Sequence, residues 1–209
     1  MNRNRDYSKD PKAWKIVKTD LWKVIQKYCK KIQKNGDFLS IDGEKGIGKS
    51  TALQDFATKN SLVWYLRGNG QITEKMFTNF MQNILESLKN SQEKHLLIID
   101  DSTKLRQNIL NKIMFFYEIF QQRCGIILCG NHLKNKILTG ITKSKKGSKD
   151  LYIYIQYHSI FCAKNRLMEF AKICRKNGVK EMLEIIKLQE LTQGNLYLLQ
   201  SEIHNLSKP

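Results

Sequence analysis

Hydrophobic positions recur along the chain in two patterns, one typical of amphipathic helices and the other of buried strands. Apolar residues at three- and four-residue intervals over 14–32 predict a helix, and Gly36 is expected to end it. Short apolar runs predict strands at 37–42, 61–66, 95–100 and 124–129, and a last strand at 151–155. Helices are predicted from 52 to 58, from 73 to 88, from 105 to 120 and over most of 167–206.

Strands that alternate with helices at this spacing predict an α/β fold in three layers, with a parallel sheet and right-handed crossovers. The composition changes at 142–150, which reads as a polar, basic loop. We therefore predict three parts: a flexible basic arm at 1–12, a core at 13–160 and a small helical subdomain at 161–209.

A glycine-rich loop follows the first predicted strand and opens the next helix. Residues 43–50 satisfy G-x-x-x-x-G-K-[ST], the pattern whose backbone N–H groups surround nucleotide phosphates. Lys49 is expected to reach the β and γ phosphates of ATP, and Ser50 to hold Mg²⁺. Thr51 can add a contact to the α phosphate. The predicted cofactor-binding residues are Gly43, Glu44, Lys45, Gly46, Ile47, Gly48, Lys49, Ser50 and Thr51.

Two aspartates end the apolar run 95–100, next to the phosphate loop in a parallel sheet. Asp100 is the predicted Walker B acid, which would hold Mg²⁺ through water. Asp101 is the predicted base that activates water, and the alternative is a residue that caps the following turn. Because the aspartate side chain is one methylene shorter than that of glutamate, it reaches less far towards the attacking water. We therefore expect slow hydrolysis of ATP.

The phosphate loop, the sequence IIDD and a later strand that ends at Asn131 together resemble the AAA+ ATPases. The resemblance implies a P-loop fold with a C-terminal helical lid, and a catalytic role for Asn131 in orienting the attacking water. Within the family, LLIIDDSTKL and CGIILCGNHLKNKIL are most similar to the DNA-transposition ATPases of the MuB and TniB kind. Residues 191–196 resemble the sensor-two segment of the lid, with Tyr197 where the family usually carries arginine.

The same resemblance predicts an arginine finger, for which Lys149, Arg166 and Arg175 are the candidates. Lysine would be a poorer bidentate phosphate ligand than arginine. We therefore expect weak ATPase activity that rises in an oligomer or filament.

The formal net charge is +17, from 36 Lys and Arg against 19 Asp and Glu, which favours a polyanionic partner such as nucleic acid. Lysines without interleaved aromatic residues suit duplex DNA, bound without sequence preference. A solvated loop is the alternative interpretation of the basic segment. The predicted DNA contacts are Lys104, Arg106, Lys143, Lys145, Lys146 and Lys149, with Lys112, Lys134 and Lys136 as further basic residues nearby.

These expectations describe an ATP- and Mg²⁺-dependent, cytoplasmic protein that oligomerises on duplex DNA. The resemblance adds target selection and recruitment or activation of a transposase. A helicase loader of the DnaC or IstB kind and a nucleotide-switched signalling module are the alternatives. No membrane is expected as partner, because no apolar stretch has the length of a membrane span.

Overall fold

A computed structural model describes residues 14–68, 70–143, 147–157, 159–163 and 166–206. The strands are β1 (Phe38–Gly43), β2 (Val63–Arg67), β3 (His95–Asp100), β4 (Cys124–Gly130) and β5 (Ser159–Cys162). The helices are α1 (Asp20–Asn35), α2 (Lys49–Thr58), α3 (Glu74–Asn90), α4 (Gln107–Phe120), α5 (Leu133–Thr142), α6 (Ser148–Tyr157), α7 (Leu167–Lys176), α8 (Met182–Thr192) and α9 (Leu196–Leu206), with a short 3₁₀ turn at Ser102–Lys104.

The five strands form one parallel sheet in the order β2-β3-β4-β1-β5. β1 lies between β4 and β5, and β3 lies between β2 and β4. The carboxyl ends of β1, β3 and β4 therefore meet at one edge of the sheet, where Gly43, Asp100 and Gly130 end their strands. Ligands of open α/β sheets bind at this edge.

Helices cover both faces of the sheet, which confirms the predicted three-layer α/β fold. Alternate residues of β1, β3 and β4 point to opposite faces. Phe38, Leu97 and Leu128 pack against α3, α4 and α6, whereas their neighbours Leu39 and Ile98 pack against α1 and α2. Because both faces of the sheet are buried, these strands consist mainly of continuous runs of apolar residues.

The first helix begins later than its hydrophobic pattern predicts. Thr19 is the N-cap, since its hydroxyl accepts the N–H of Trp22 at 3.1 Å. Trp14 and Val17 precede the helix and pack instead against the separate core of α7, α8 and α9. The apolar repeat over 14–32 thus contributes residues to two separate cores, and only its part from Asp20 onward is helical. Gly36 ends α1 in the left-handed conformation, as predicted.

The prediction of a last strand at 151–155 is wrong, because this segment lies in α6 and the last strand is β5. Leu151 and Ile155 are 0% and 1% exposed and lie one helical turn apart, while the apolar residues between them hide that period. The predicted loop at 142–150 is helical at both ends, in α5 and α6, and residues 144–146 lie outside the described part of the chain.

The C-terminal helices α7, α8 and α9 have their own apolar core, centred on Phe170, Ile185 and Leu199. They form a small helical unit that follows the sheet, which we call the lid. The division into 1–12, 13–160 and 161–209 stays a prediction, and its first segment lies outside the described residues. Among the described helices, none has the length and apolar composition needed to cross a membrane.

His95 begins β3 at the end of the sheet away from the phosphate loop, and its environment gives a prediction for stability. The side chain is 1% exposed, and its Nδ1 accepts a hydrogen bond from the Trp64 indole at 3.2 Å. Burial, and then the positive charge of Arg123, lower the pKa of His95. The unfolded chain therefore binds the proton first as the pH falls below about 6.5.

We expect the free energy of unfolding to decrease as the pH is lowered from 7 to 5, by at most about 1.4 kcal/mol per pH unit from this group. Urea unfolding across this range should show a smaller slope in His95→Gln than in the wild type. His204→Gln changes an exposed histidine of α9 and is the control. An unchanged slope in His95→Gln would contradict the prediction.

Candidate functional site

The phosphate loop joins β1 to α2 and already has the shape of an anion-binding turn. Gly46 and Gly48 have φ angles of 85° and 102°, in the region that favours glycine. The ammonium group of Lys49 donates to the carbonyl oxygens of Gly43 and Glu44, each at 2.7 Å. Lys49 is only 7% exposed, so the fold holds its charge across the mouth of the loop. A phosphate is the natural ligand of such a loop.

The remaining loop residues lie around this charge. Ile47 is buried in the core beneath α1 and α2, and Gly43 pairs with Cys162 of β5. Ser50 is half-buried in the first turn of α2, whereas Thr51, Glu44 and Lys45 are exposed. Burial of Ile47 and Gly43 fixes the loop on the sheet, and the partial exposure of Ser50 and the exposure of Thr51 leave the start of α2 accessible to a ligand.

The lid contacts the phosphate loop directly. The backbone N–H of Leu196 donates to the carbonyl oxygen of Gly46 at 2.7 Å. A Cβ atom at Gly46 would lie 2.0 Å from the Asn195 side-chain oxygen, so this position requires glycine. A cleft of about 350 Å³ separates the loop from the segment 191–198, with Glu44 and Lys45 on one wall. The segment predicted to resemble sensor two therefore does face the loop.

Asp100 ends β3 as a buried carboxylate. It is 1% exposed, and its Oδ2 accepts a hydrogen bond from the Tyr65 hydroxyl at 2.7 Å. Its Oδ1 accepts the N–H of Asp101 at 2.9 Å. Burial, and then the charge of Asp100, raise the pKa of Tyr65, so the phenol stays a donor. Burial also raises the pKa of Cys129 on β4, where Asp100 contributes further.

Asp101 has a left-handed backbone with φ of 52°, and it precedes the 3₁₀ turn without capping it through its side chain. Its carboxylate contacts Lys104 at 3.0 Å and Arg67 at 3.4 Å. Burial opposes ionisation, but these two cations outweigh it and lower the pKa of Asp101. Asp101 is therefore an ionised group held at the edge of the site between two cations.

Asn131 follows β4 at the same edge of the sheet, and its side chain is exposed. Asp42, next to it on β1, fixes the local backbone. Its Oδ1 accepts the N–H groups of Gly43 at 2.7 Å and of His132 at 2.8 Å. One carboxylate thus ties the start of the phosphate loop to the turn that presents Asn131.

The residues at this edge fit a nucleotide with Mg²⁺. Lys49 and the loop N–H groups supply positive charge for phosphates, and Ser50 and Asp100 supply the oxygen ligands that Mg²⁺ prefers. Among the described residues, no group of three or more His, Cys, Asp or Glu could hold a metal by itself. Mg²⁺ at this site would therefore need phosphate and water as its other ligands.

The predicted DNA contacts lie on neighbouring elements beyond the site. Arg106, Lys143 and Lys149 are exposed, at the start of α4, the end of α5 and the first turn of α6. Gly147, directly before α6, packs on α4, since a Cβ atom there would lie 2.5 Å from the Asn111 side-chain oxygen. Lys145 and Lys146 lie outside the described residues.

Other basic residues have partners inside the protein. Lys104 pairs with Asp101, and Lys112 lies 4.0 Å from Glu74. Lys134 lies over the ring of Tyr152, at 5.9 Å from its centroid. Lys136 donates to the carbonyl oxygens of Thr103 and Leu105, which makes it a structural residue.

Of the candidates for the arginine finger, Lys149 was expected directly before the last strand and lies elsewhere. Lys149 lies in α6 and not directly before the last strand. Arg166 is the N-cap of α7, and Arg175 lies in its last turn, so both belong to the lid. Tyr197 is 73% exposed at the start of α9.

Three residues of the site were not predicted from the sequence: Tyr65, Asp42 and Arg67. Tyr65 and Arg67 lie two residues apart on β2, and only the register of β2 with β3, in which Arg67 is opposite Asp100, reveals that they are close to the two aspartates. Asp42 precedes the motif directly, so its position at a strand end was a usable signal.

Comparison with known proteins defines the fold. No protein-family model matches the sequence, and no curated protein matches it significantly. The structure is similar to the replication initiator DnaA bound to AMPPCP and single-stranded DNA, with a TM-score of 0.61 and 16% identity over 88% of this chain. It is also similar to a Walker-type ATPase of Pyrococcus abyssi, with a TM-score of 0.56 and 11% identity over 88% of this chain.

These similarities show that the chain has the fold of the AAA+ P-loop ATPases. The predicted fold class is thereby confirmed, and the glycine-rich loop lies between a strand and a helix as predicted. The chain matches 59% of the DnaA chain and 65% of the Pyrococcus abyssi chain.

Proposed function

We propose that this protein is an ATPase that binds ATP with Mg²⁺ and uses the nucleotide to control a DNA-bound assembly. The observation that carries the proposal is the position of Lys49. Its buried ammonium group lies across the phosphate loop and donates to backbone carbonyl oxygens, and among the described residues it forms no ion pair with a carboxylate. A buried charge without a carboxylate partner is costly unless a ligand supplies the opposite charge.

In the proposed mechanism each residue has one task. The loop N–H groups and Lys49 would bind the phosphates, and Ser50 and Asp100 would hold Mg²⁺, an ion that supplies positive charge for phosphoryl transfer. Tyr65 orients the Asp100 carboxylate through its hydrogen bond. Asp101 accepts the proton of the attacking water, and Asn131 orients that water. The contact of Leu196 with Gly46 gives the lid a direct way to sense the occupied loop.

The DNA partner is proposed from the net charge of +17 and from exposed cations such as Arg106, Lys143 and Lys149. Charge of this size raises affinity for phosphate backbones irrespective of sequence. We further propose that the chain forms an ATP-dependent oligomer on duplex DNA. The similarity of its Walker B and Asn131 segments to transposition ATPases suggests that this oligomer selects targets and recruits or activates a transposase.

The test is binding to a random-sequence duplex and to a matched single strand, without nucleotide and with ADP, ATP or a slowly hydrolysed ATP analogue. We expect duplex binding that requires ATP, rises steeply with protein concentration and weakens with salt. Lys49→Ala should remove the nucleotide effect. Duplex binding that is absent or indifferent to nucleotide would contradict the proposal.

A helicase loader is the second candidate, because the fold is similar to that of a replication initiator bound to single-stranded DNA. Preference for the single strand in the same experiment would favour this function. ATP binding without any DNA binding would favour a nucleotide-switched signalling module.

The proposed base gives a separate prediction. Asparagine tolerates the left-handed backbone of Asp101 but cannot accept the proton. We expect Asp101→Asn to lower ATP turnover by about a hundredfold while ATP affinity changes little. Asp101→Glu, with one more methylene, should raise turnover. Phosphate release and ATP titration measure the two quantities.

The pKa of Asp101 is lowered from the ordinary aspartate value of 3.8. Its carboxylate is therefore already ionised at neutral pH, and it is protonated only below pH 3.8. Turnover should therefore show no acidic limb from this residue between pH 8 and 5.5. Asp150→Asn, at an exposed position of α6, is the control. Full activity in Asp101→Asn would leave this residue with a turn-forming role only.

A further inference from the structure

The exposed side of α1 carries a concentration of lysine that the nucleotide site does not use. At about 100° per residue, its five lysines fall within one sector of about 100°. The buried residues Ile25, Cys29 and Ile32 lie on the opposite side of the helix. We call this exposed side the lysine face. It consists of Lys23, Lys27, Lys30, Lys31 and Lys34.

The lysine face is not neutralised by the protein around it. Asp20 is the single acidic residue of α1, and it pairs with Lys23 at 3.0 Å. Within the described part of the chain, the other four lysines form no ion pair. Like charges three and four residues apart destabilise a helix. A ligand of opposite charge would relieve this repulsion.

Not every exposed helix of this protein carries an excess of positive charge. α3 has 17 residues and carries Glu74 and Glu86 against Lys75 and Lys89. Mixed charge of that kind is the usual composition of a helix face that only meets solvent. The lysine face departs from it, which points to a specific anionic partner.

The shape of the lysine face favours duplex DNA over other anions. Lys23 and Lys34 are separated by about 16 Å along the helix axis, a length over which a duplex presents roughly ten phosphate charges. The aromatic residues of α1, Trp22 and Tyr28, are half-buried against the core. The lysine face therefore offers no ring for stacking on single-strand bases, and the exposed apolar residue of α1 beside it, Val24, is too small to anchor the helix in a membrane.

We infer that the lysine face of α1 binds the phosphate backbone of duplex DNA, as a contact surface separate from Arg106, Lys143 and Lys149. The inference rests on the proposed function, since it specifies where the proposed DNA partner lies. α1 is also connected to both parts of the nucleotide site. Gln26 donates to the carbonyl oxygen of Ala52 on α2 at 2.7 Å, and Glu169 of α7 accepts the N–H of Asp20 at 3.1 Å.

The test compares three variants of the full chain by fluorescence anisotropy with a labelled random-sequence duplex, with ATP analogue and across a salt series. The first variant replaces Lys27, Lys30, Lys31 and Lys34 by glutamine, which preserves helix propensity. The control has the same net charge and replaces Lys75, Lys89, Lys176 and Lys180, which are exposed in α3 and the lid. The third variant replaces Arg106, Lys143 and Lys149 by glutamine.

We expect the α1 variant to bind duplex DNA about tenfold or more weakly than the control variant, with a salt slope lower by about 3 to 4. Its melting temperature should equal or exceed that of the wild type, because repulsion within α1 is removed. This rules out unfolding as the cause of weaker binding.

Equal affinity of the α1 and control variants would overturn the inference while wild-type binding upheld the proposed function. A loss confined to the third variant would overturn it in the same way and assign the contact to that surface. If the wild type bound no duplex in any nucleotide state, the proposed function would fail first. Binding of the wild type to phosphatidylserine vesicles and not to duplex, lost in the α1 variant, would replace DNA by a membrane surface.

Discussion

Lys49→Ala is expected to lower ATP affinity by about a hundredfold and to reduce turnover to background. The ammonium group already lies at the mouth of the phosphate loop, where it donates to the carbonyl oxygens of Gly43 and Glu44. Each charge-assisted hydrogen bond to phosphate contributes about 1.5–3 kcal/mol, and 1.4 kcal/mol corresponds to a factor of ten. Loss of contacts to two phosphates therefore gives at least the stated effect.

Isothermal titration calorimetry with ATP and a phosphate-release assay measure the two quantities. Lys59→Ala is the matched control, because Lys59 follows the far end of the same helix and pairs there with Asp55. It should keep both quantities within about threefold of the wild type. Thermal melting must show that Lys49→Ala is folded. A folded Lys49→Ala protein with wild-type ATP affinity would refute the assignment of this loop as the nucleotide site.

The part of the site that lies in one continuous motif could be predicted from the sequence, because local spacing alone specifies it. The glycines, Lys49 and Ser50 belong to a single loop between a strand and a helix. Asp100 could be placed for a similar reason, since it ends a run that only a doubly covered strand explains. Both predictions depend on order along the chain and on no contact between distant residues.

The features that the sequence did not predict depend on contacts between distant segments. Trp14 and Val17 extend the repeat of α1 but pack in the lid, and only the folded chain separates the two cores. The segment 151–155 is apolar at nearly every position, so helix and strand periods fit it equally well. β5 is short and adds only four residues beside β1, with too little pattern to be recognised.

The same reasoning explains why the surroundings of the two aspartates were missed. Tyr65 and Arg67 lie about 35 residues before Asp100 and Asp101, and the parallel register brings them together. Gly68 makes this approach possible, because its N–H donates to the Asp100 carbonyl oxygen at 2.6 Å and a Cβ would lie 2.6 Å from the Asp101 carbonyl oxygen. Residues of β2 thus surround Asp100 and Asp101, although the sequence places these two acids only at the end of β3 and directly after it.

Asp100→Asn is expected to reduce ATP turnover by about a hundredfold while ATP binding persists. The substitution keeps the shape of a side chain that is 1% exposed but removes the charge that would hold Mg²⁺. Asparagine offers one oxygen where the carboxylate offers two, so either Tyr65 or the Asp101 N–H loses its acceptor. This should cost about 1 kcal/mol of stability, too little to unfold the protein.

The decisive measurement is turnover as a function of Mg²⁺ concentration, because loss of the carboxylate should shift the half-saturating Mg²⁺ concentration upward. Tyr65→Phe removes only the orienting hydrogen bond and should lower turnover by about tenfold, with a smaller shift in the half-saturating Mg²⁺ concentration. Asp37→Asn changes a carboxylate at the opposite end of the sheet, beside Asn35, and is the control. If Asp100→Asn kept both wild-type turnover and the wild-type Mg²⁺ dependence, Asp100 would be a structural partner of Tyr65, and another group would have to hold the metal.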